Sequence, residues 1–305
     1  VLTLGATNAY VFAGLGGPYW VDSNNDGVVD GLDTPASDGA MGFALGGVNV
    51  AVALLDQTGV AQPVKYVAVK LAADSATLVG LSDLLTLEAR QISVEVNTAV
   101  DPAGEVAAGD FSHLDGGGLT VQTGGDPILI DFDHALNRVS VGDATIQISD
   151  FVFVRGGFAF EKGVPVVEDL GGGETRDLDV LTIGASNVHV FAGLGGPYWT
   201  DSNNDGVIDA SDTPAAAGAI GLAAGGVTFG LVLLQQTGVA EPVKYLALKA
   251  TAASASLVGV ESTVQLQAST ISVELNKATD PAGVVVAGDF THMTGGGLSV
   301  QTGGD

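Results

Sequence analysis

Two twelve-residue segments place oxygen-bearing side chains at the spacing that a loop around a hard cation requires. Both carry Asp or Asn at positions 1, 3, 5, 9 and 12, and Gly at position 6. The predicted ligands are Asp22, Asn24, Asp26, the Val28 carbonyl, Asp30 and Asp33 in segment 22–33, and Asp201, Asn203, Asp205, the Val207 carbonyl, Asp209 and Asp212 in segment 201–212. Ca²⁺ takes about six to eight oxygen ligands, and a Gly at position 6 allows the sharp turn of such a loop. The spacing therefore predicts one Ca²⁺ in each segment.

Both segments resemble the EF-hand loop and, more closely, the dockerin-type loop, in which Asp rather than Glu occupies the last position. They also resemble the DxNxDGxxD loops of calcium-dependent bacterial adhesins and giant surface proteins. The resemblance covers about twelve residues per copy and implies calcium binding, not a fold. The flanking GGPYW at 16–20 and Thr34-Pro35 are poor helix formers, so we expect each loop to connect strands. The alternative is an Asp/Asn/Gly turn that holds no metal.

Two further groups of residues offer chemistry, and each has a simpler structural interpretation. The acidic residues Asp131, Asp133 and Asp143 could build another calcium site or could simply be solvated. The aromatic pairs Tyr19/Trp20 and Tyr198/Trp199 could stack on a sugar ring or could pack beside the loop as a local core. We favour the structural interpretation of both groups.

The chain carries no recognisable catalytic motif. Its sequence contains no G-x-S-x-G, H-E-x-x-H or P-loop pattern. Paired carboxylates of the glycosidase kind stay open, because their separation in space cannot be read from a sequence. We expect that the protein is not an enzyme.

The chain repeats itself with an offset of 179 residues. Residues 1–126 align with 180–305 without insertions, and 82 of these 126 positions are identical. We therefore predict a full repeat unit over 1–179 and a partial second unit over 180–305. Val1 starts within the repeated pattern, as we expect of a fragment of a longer chain. Tandem copies of this kind are typical of long surface proteins and filaments.

A shorter apolar pattern within each copy predicts bent strands. Leu181 and Ile183 are followed, after a step of five residues, by Val188 and Val190. The odd step would move the apolar set to the other face of a regular strand, so a bulge or corner must lie at 184–187. The same spacing recurs at 139–148, 151–160, 220–229 and 264–273, and more weakly at 246–255 and 291–300. We predict an all-β fold: an elongated β-solenoid-like body of bent strands of about ten residues with inserted calcium loops, or alternatively tandem β-sandwich domains.

Composition excludes several classes of partner. The 305 residues carry a formal charge of −25, from 10 basic and 35 acidic side chains. A chain without a basic cluster cannot neutralise phosphates, so we expect no nucleic-acid partner. No apolar run approaches the length of about 18 residues that a spanning helix needs, so we expect no membrane span. The chain has 45 Gly and no Cys, a composition that fits bacterial extracellular proteins stabilised by calcium.

These patterns lead to one hypothesis and two rivals. The hypothesis is a calcium-stabilised structural repeat of a long secreted bacterial surface protein, serving as an adhesin stalk, a surface layer or an extracellular filament. Its expected partners are neighbouring repeats or copies of the same chain, with surface glycans as a further possibility. The rivals are a glycan-binding module and a carbohydrate-active β-helix enzyme.

Overall fold

A computed structural model describes residues 1–36, 38–81, 84–204, 208–209 and 211–303. The chain is all-β, and the one helical segment among these residues is a 3-10 turn at Phe290–His292. It divides into two compact units, Val1–Val154 and Arg155–Asp305, called here the first and the second unit. The division falls before the repeat boundary between residues 179 and 180, because the strands just ahead of that boundary pair within the second unit.

The first unit contains a meander of long antiparallel strands with a small hairpin beside it. The strands of the meander pair in the order β1-β2-β3-β4-β7, and β5 pairs with β6 in a separate two-stranded sheet. The bounds are β1 Leu2–Leu15, β2 Met41–Asp56, β3 Lys65–Val79, β4 Leu85–Val100, β5 Leu119–Val121, β6 Ile128–Ile130 and β7 Leu136–Ile148.

The second unit repeats the meander and adds a hairpin at its start. Strands β10 to β13 pair in chain order, each antiparallel to the next. β9 pairs with the first residues of β10, and β8 also lies beside β10. The bounds are β8 Val152–Lys162, which begins before the division between the units, β9 Val166–Gly171, β10 Glu174–Leu194, β11 Ile220–Gln236, β12 Lys244–Val258 and β13 Gln267–Thr279.

The predicted interruptions are bulges inside these long strands. The pairing of β10 with β11 shifts register between Ala185 and Val188, and Asn187 has a φ of 48°. The equivalent shift in β1 lies between Ala6 and Ala9, where Asn8 has a φ of 49°. A bulge takes up one extra residue, so both apolar halves of the strand can face the same core. The odd apolar step therefore located the bulge correctly.

The predicted strand length and stacking were wrong. The meander strands run over 13 to 21 residues, as in β7 and β10, because each bulge bends a strand without ending it. Consecutive strands pair in antiparallel register, whereas the coils of a solenoid stack in parallel. Residues 291–300, whose spacing resembled a strand, form the end of the 3-10 turn and a loop that packs on the sheet.

One face of each meander carries the core. In the first unit, small residues of the sheet admit large side chains from the loop and hairpin that cover it. The sheet contributes Ala51, Ala53 and Ala68, and the cover contributes Phe111, Val121, Ile130 and Phe132. The core of the second unit contains Leu178, Val180, Val232, Leu234, Val243, Tyr245, Ala278 and Met293.

Candidate metal centre

The first acidic loop connects β1 to β2 and is held by an aromatic cluster at its base. Trp20 Nε1 donates to the carbonyl of Val11 over 2.9 Å. Tyr19 stacks on Phe12 at 5.3 Å between ring centroids, and Trp20 meets the edge of Tyr19 at 4.9 Å. These rings pack against a small buried group that includes Ala44. The interpretation of Tyr19 and Trp20 as local core is confirmed.

The second loop, between β10 and β11, has the same base. Trp199 Nε1 donates to the carbonyl of Val190 over 3.0 Å, and Tyr198 stacks on Phe191 at 5.7 Å. His189 stands where the first copy has Tyr10, and its ring lies 5.0 Å from that of Trp199. The surrounding packing therefore positions both loops in the same way.

The first half of the first loop is wound by hydrogen bonds from its own main chain to the predicted ligands. The Asp22 carboxylate accepts the N–H groups of Asp26 at 3.1 Å and Gly27 at 2.8 Å. Asn24 Oδ1 also accepts the N–H of Asp26, and Asp26 Oδ1 accepts that of Val28, both at 2.9 Å. Gly27 has a φ of 90°, a conformation that favours glycine. The side chains of positions 1, 3 and 5 are thereby ordered around one turn.

The second half of the loop folds back onto its start through Asp33. Asp33 Oδ1 accepts the N–H of Ser23 at 2.7 Å and that of Asn24 at 3.3 Å, and Oδ2 accepts the N–H of Asp30 at 2.9 Å. Asp30 Oδ1 in turn accepts the N–H of Leu32 at 2.8 Å. The last predicted ligand therefore lies next to the first residues of the loop, as a closed cation site requires.

The described part of the second loop repeats these contacts. Asp212 Oδ1 accepts the N–H of Ser202 at 2.7 Å, and Asp212 Oδ2 accepts that of Asp209 at 2.9 Å. Asp201 lies 3.9 Å from the guanidinium of Arg155. The predicted ligands Asp205 and Val207 lie outside the described residues, and Asn203 lies within them.

Sequence reasoning missed the serine at position 2 of each loop. Ser23 Oγ donates to Asp33 Oδ1 over 3.1 Å and accepts the N–H of Thr34 over 2.7 Å. Ser202 makes the same two contacts, with Asp212 at 3.1 Å and Thr213 at 2.9 Å. The serine therefore joins the two ends of the loop. Its presence in both copies was the available signal.

Electrostatics favour ionised carboxylates in both loops. The main-chain N–H of Asp30, followed by those of Ser23 and Asn24, holds the pKa of Asp33 below its ordinary value. The N–H of Asp209, followed by that of Ser202, does the same for the pKa of Asp212. Hydrogen bonds to the charged form of a carboxylate stabilise that form. The carboxylates of Asp33 and Asp212 would therefore be deprotonated before a cation binds.

The donor set of the first loop fits calcium. All five predicted side chains present oxygen, and each carboxylate has about four lone-pair positions, of which the main chain uses only some. Calcium prefers oxygen donors of this kind. Among the described residues, no three His, Cys, Asp or Glu side chains converge as a ready-made metal cluster. In this structure the carboxylates are turned toward main-chain N–H groups instead.

The additional acidic group does not form a common site. Asp131 pairs with Lys70 Nζ at 2.9 Å, and Asp133 pairs with the ring of His134. Asp143 lies within β7, opposite Arg90 of β4. The three carboxylates therefore belong to separate contacts, in line with the interpretation that we favoured.

A buried ionic cluster in the second unit was not anticipated from the sequence. Glu168 Oε2 accepts from Arg176 Nη1 at 2.8 Å and from the Tyr245 hydroxyl at 2.7 Å. Arg176 also contacts that hydroxyl. Glu168 and Arg176 lie between the two aligned copies, where no repeated pattern draws attention to them. The cluster joins the hairpin of β9 and β10 to β12.

Two further observations bear on the search for a function, one on helices and one on related proteins. None of the described residues belongs to a helix with the length and apolar character that such a crossing needs. Comparisons with models of protein families, with curated proteins and with solved structures find no match to this chain.

Proposed function

We propose that the chain is a calcium-stabilised structural repeat of a long secreted bacterial surface protein, such as an adhesin stalk, a surface layer or an extracellular filament. The observation that carries the proposal is the recurrence of one loop architecture in both copies. Asp33 and Asp212 accept from equivalent main-chain groups at the same distances, 2.7 and 2.9 Å. The residues beside the two loops differ, yet both loops keep the same hydrogen bonds to their last Asp. This conservation of geometry between the copies supports a shared ligand.

Calcium would act in these loops as a cross-link between their two ends. Asp22 begins the first loop and Asp33 ends it, so a cation bound to both would hold the connection from β1 to β2. Four of the five ligand side chains are carboxylates, and no Lys or Arg lies within 22–33 to offset them. A cation that binds only the folded loop stabilises the folded state by mass action. The loops would then rigidify every repeat of an array.

An extracellular location is supported by the proposed metal and by the composition. Calcium sites of extracellular modules have dissociation constants of about 0.1–1 mM, which suit the calcium-rich exterior of a cell. The chain has no Cys and a net charge of −25, so calcium would also neutralise part of its self-repulsion. Repetition adds length and valency without a new fold. These properties together favour a secreted, cell-surface role.

The architecture favours the sandwich alternative over the solenoid. Each unit has an antiparallel sheet with one face covered by loop segments, which amounts to two layers around a core. The aromatic residues that could have bound sugars, Tyr19 and Trp20, are engaged with each other and with Phe12. This engagement reduces the support for a glycan-binding module.

Calorimetric titration and thermal unfolding test the proposal. We expect two calcium sites per chain, and chelation should lower the melting temperature because about 2.7 kcal/mol of stabilisation is lost from a site held at a hundred times its dissociation constant. Asp26→Ala should reduce the stoichiometry to one. Asp38→Asn, an exposed carboxylate outside the loop, is the matched control and should leave two sites. Unchanged unfolding in chelator, with no calcium-specific heat, would refute the proposal.

A further inference from the structure

A strand outside the second acidic loop contacts the first predicted ligand of that loop. Arg155 is the first residue of the second unit and lies near the start of β8. Its Nη2 lies 3.9 Å from Oδ2 of Asp201, the residue at position 1 of the loop. Both side chains are largely buried, with 20% of the Arg155 side chain and 14% of the Asp201 side chain exposed. A cation of the chain itself therefore lies against a carboxylate that the proposed calcium would use.

Close packing of β8 on β10 brings the arginine to the loop. The two strands are neighbours in the sheet, and the N–H of Gly163, just after β8, donates to the carbonyl of Val180 over 3.1 Å. Gly156 follows Arg155, and a Cβ added to this glycine would lie 2.7 Å from the Cα of Val188. Real Cβ atoms do not approach other atoms so closely, so the glycine allows β8 to lie directly against the bulge of β10. The backbone of β8 thus fixes where Arg155 starts.

The same bulge also holds the second half of the loop. Asn187, within the bulge, donates from Nδ2 to the carbonyl of Ile208 over 3.0 Å. Ile208 is 4% exposed, and the next residue, Asp209, donates its N–H to Asp212 over 2.9 Å. The loop is therefore anchored at the part of the sheet that β8 covers, so the contact between Arg155 and the loop joins two ordered elements.

The charge of Arg155 also acts on a second group at the base of the loop. Burial is the main cause that lowers the pKa of His189, and the positive charge of Arg155 lowers this pKa further. The charge of Asp212, the last predicted ligand, opposes the shift. The ring of His189 lies 5.0 Å from that of Trp199, which packs under the loop. The guanidinium is therefore close enough to influence the loop base as well as Asp201.

The charge balance of the loop gives this contact a consequence for calcium. Segment 201–212 contains four Asp residues and no Lys or Arg. A nearby guanidinium offsets the mutual repulsion of such carboxylates and so favours the folded loop when no metal is bound. A calcium ion bound to Asp201 would share that carboxylate with the guanidinium, and the two cations would repel each other. One side chain therefore has opposite effects on the empty loop and on metal binding.

We propose that Arg155 is a tethered counter-ion of the second loop, which stabilises the empty loop and lowers its affinity for calcium. The inference rests on the proposed function, because it concerns the calcium site of the same loop. It adds a residue that lies outside the twelve-residue motif and sets how much calcium the loop needs. Because coupling between two ligands of one site is reciprocal, bound calcium also weakens the contact of β8 with Asp201.

Calorimetric titration with calcium in a chain that carries Asp26→Ala tests the affinity of the second loop alone. Adding Arg155→Gln should lower the dissociation constant by about three- to tenfold, because a partly buried cation next to the site is removed. Arg155→Lys keeps the charge and should bind calcium like the parent. Lys162→Gln, at the exposed end of β8, removes the same charge away from the loop and is the matched control. An unchanged or raised dissociation constant in Arg155→Gln would overturn the inference.

Denaturant unfolding gives the second readout, which a purely structural arginine would not reproduce. In chelator, Arg155→Gln should lower the unfolding midpoint of the second unit, followed by Trp199 fluorescence with Trp20→Phe in the background. In saturating calcium this loss should shrink or reverse, because the variant binds calcium more tightly and tight binding stabilises the folded state. Raising the salt concentration should reduce the difference, since salt screens charges near the surface. An equal loss in chelator and in calcium would contradict the role as a counter-ion.

The titrations also separate this inference from the proposed function. Calcium binding with the same affinity in the parent and in Arg155→Gln would overturn the counter-ion and leave the calcium-stabilised repeat in place. The absence of calcium-specific heat from both loops, with and without Arg155, would refute the proposed function and the inference together.

Discussion

The two copies of the repeat share most of their residues but are covered by different segments. In the first unit Leu114 is 41% exposed, whereas its counterpart Met293 is 3% exposed because β9 pairs with it through Glu168. The phenol of Tyr245 is fully enclosed, while its counterpart Tyr66 is half-buried. The covering residues lie outside the aligned copies. Sheets with aligned sequences therefore acquire different cores from the segments that join them.

The buried ionic cluster of the second unit is the largest difference between the two covered sheets. In the second unit, Arg176 and Tyr245 both donate to the buried carboxylate of Glu168. In the first unit, the ion pair between Arg138 and Glu95 is longer at 3.4 Å and more exposed. Removing one partner of a buried ion pair is costly, because the other charge stays buried without compensation.

Replacing Arg176 should cause the largest loss of stability. Arg176→Met leaves the carboxylate of Glu168 buried without its cation, which costs about 3–5 kcal/mol. Arg138→Met, the control in the first unit, should cost about 1 kcal/mol or less because its pair is partly exposed. Denaturant unfolding is followed by Trp199 fluorescence in a Trp20→Phe background for the second unit, and by Trp20 fluorescence in a Trp199→Phe background for the first. Similar losses in the two variants would contradict the assigned difference in burial.

Replacing the equivalent asparagines Asn97 and Asn276 should destabilise the two units by different amounts, which is the second-largest expected effect. Asn97→Ala leaves the carbonyls of Gly109 and His134 without their donor, at a cost of about 1–3 kcal/mol. Asn276→Ala removes contacts with Gly288 alone at an exposed position, so its cost should lie near or below about 1 kcal/mol. Denaturant unfolding of both variants measures the difference. Equal costs would show that burial of the first asparagine is unimportant.

The phenol of Tyr245 should ionise late in alkaline titration. Burial, followed by the hydrogen bond to Glu168, raises its pKa to about 12 from 10.0. A raised pKa means that this group's contribution to stability is complete below pH 10 and is lost as the pH rises through about 12. Ultraviolet absorbance of the ionised phenol should show a late step that Tyr245→Phe removes. A late step that persists in this variant would assign it to another tyrosine.

Acid should destabilise the second unit through protonation of His189. This is the smallest of the expected effects on stability. Burial holds the pKa of His189 below its ordinary value of 6.5. The stability linked to the neutral ring is therefore present above pH 6.5 and is lost as the pH falls through the lower pKa of the folded state. His189→Tyr, which copies Tyr10 of the first unit, should reduce this acid sensitivity. Trp199 fluorescence against pH measures it, and an unchanged profile would exclude the histidine.

The sequence alone determined the local features of the molecule. Apolar spacing located the bulge near Asn187, because alternation along a strand reports which face each residue occupies, and the repeat has its equivalent near Asn8. Asp, Asn and Gly at loop spacing located the acidic loop 22–33, since such side chains accept from main-chain N–H groups a few positions away, as Asp26 does from Val28. The all-β class followed from the same short-range patterns.

The neighbours of each strand, and the segments that cover the sheets, depend on tertiary contacts. Antiparallel and parallel pairing both satisfy an alternating pattern, so the sequence left the solenoid open until the register of β1 with β2 excluded parallel stacking there. Glu168 and Tyr245 are 77 residues apart and meet only because β9 folds over the sheet. The exposure of Leu114 against the burial of Met293 has the same origin. Such contacts depend on chain path, which short-range periodicity does not encode.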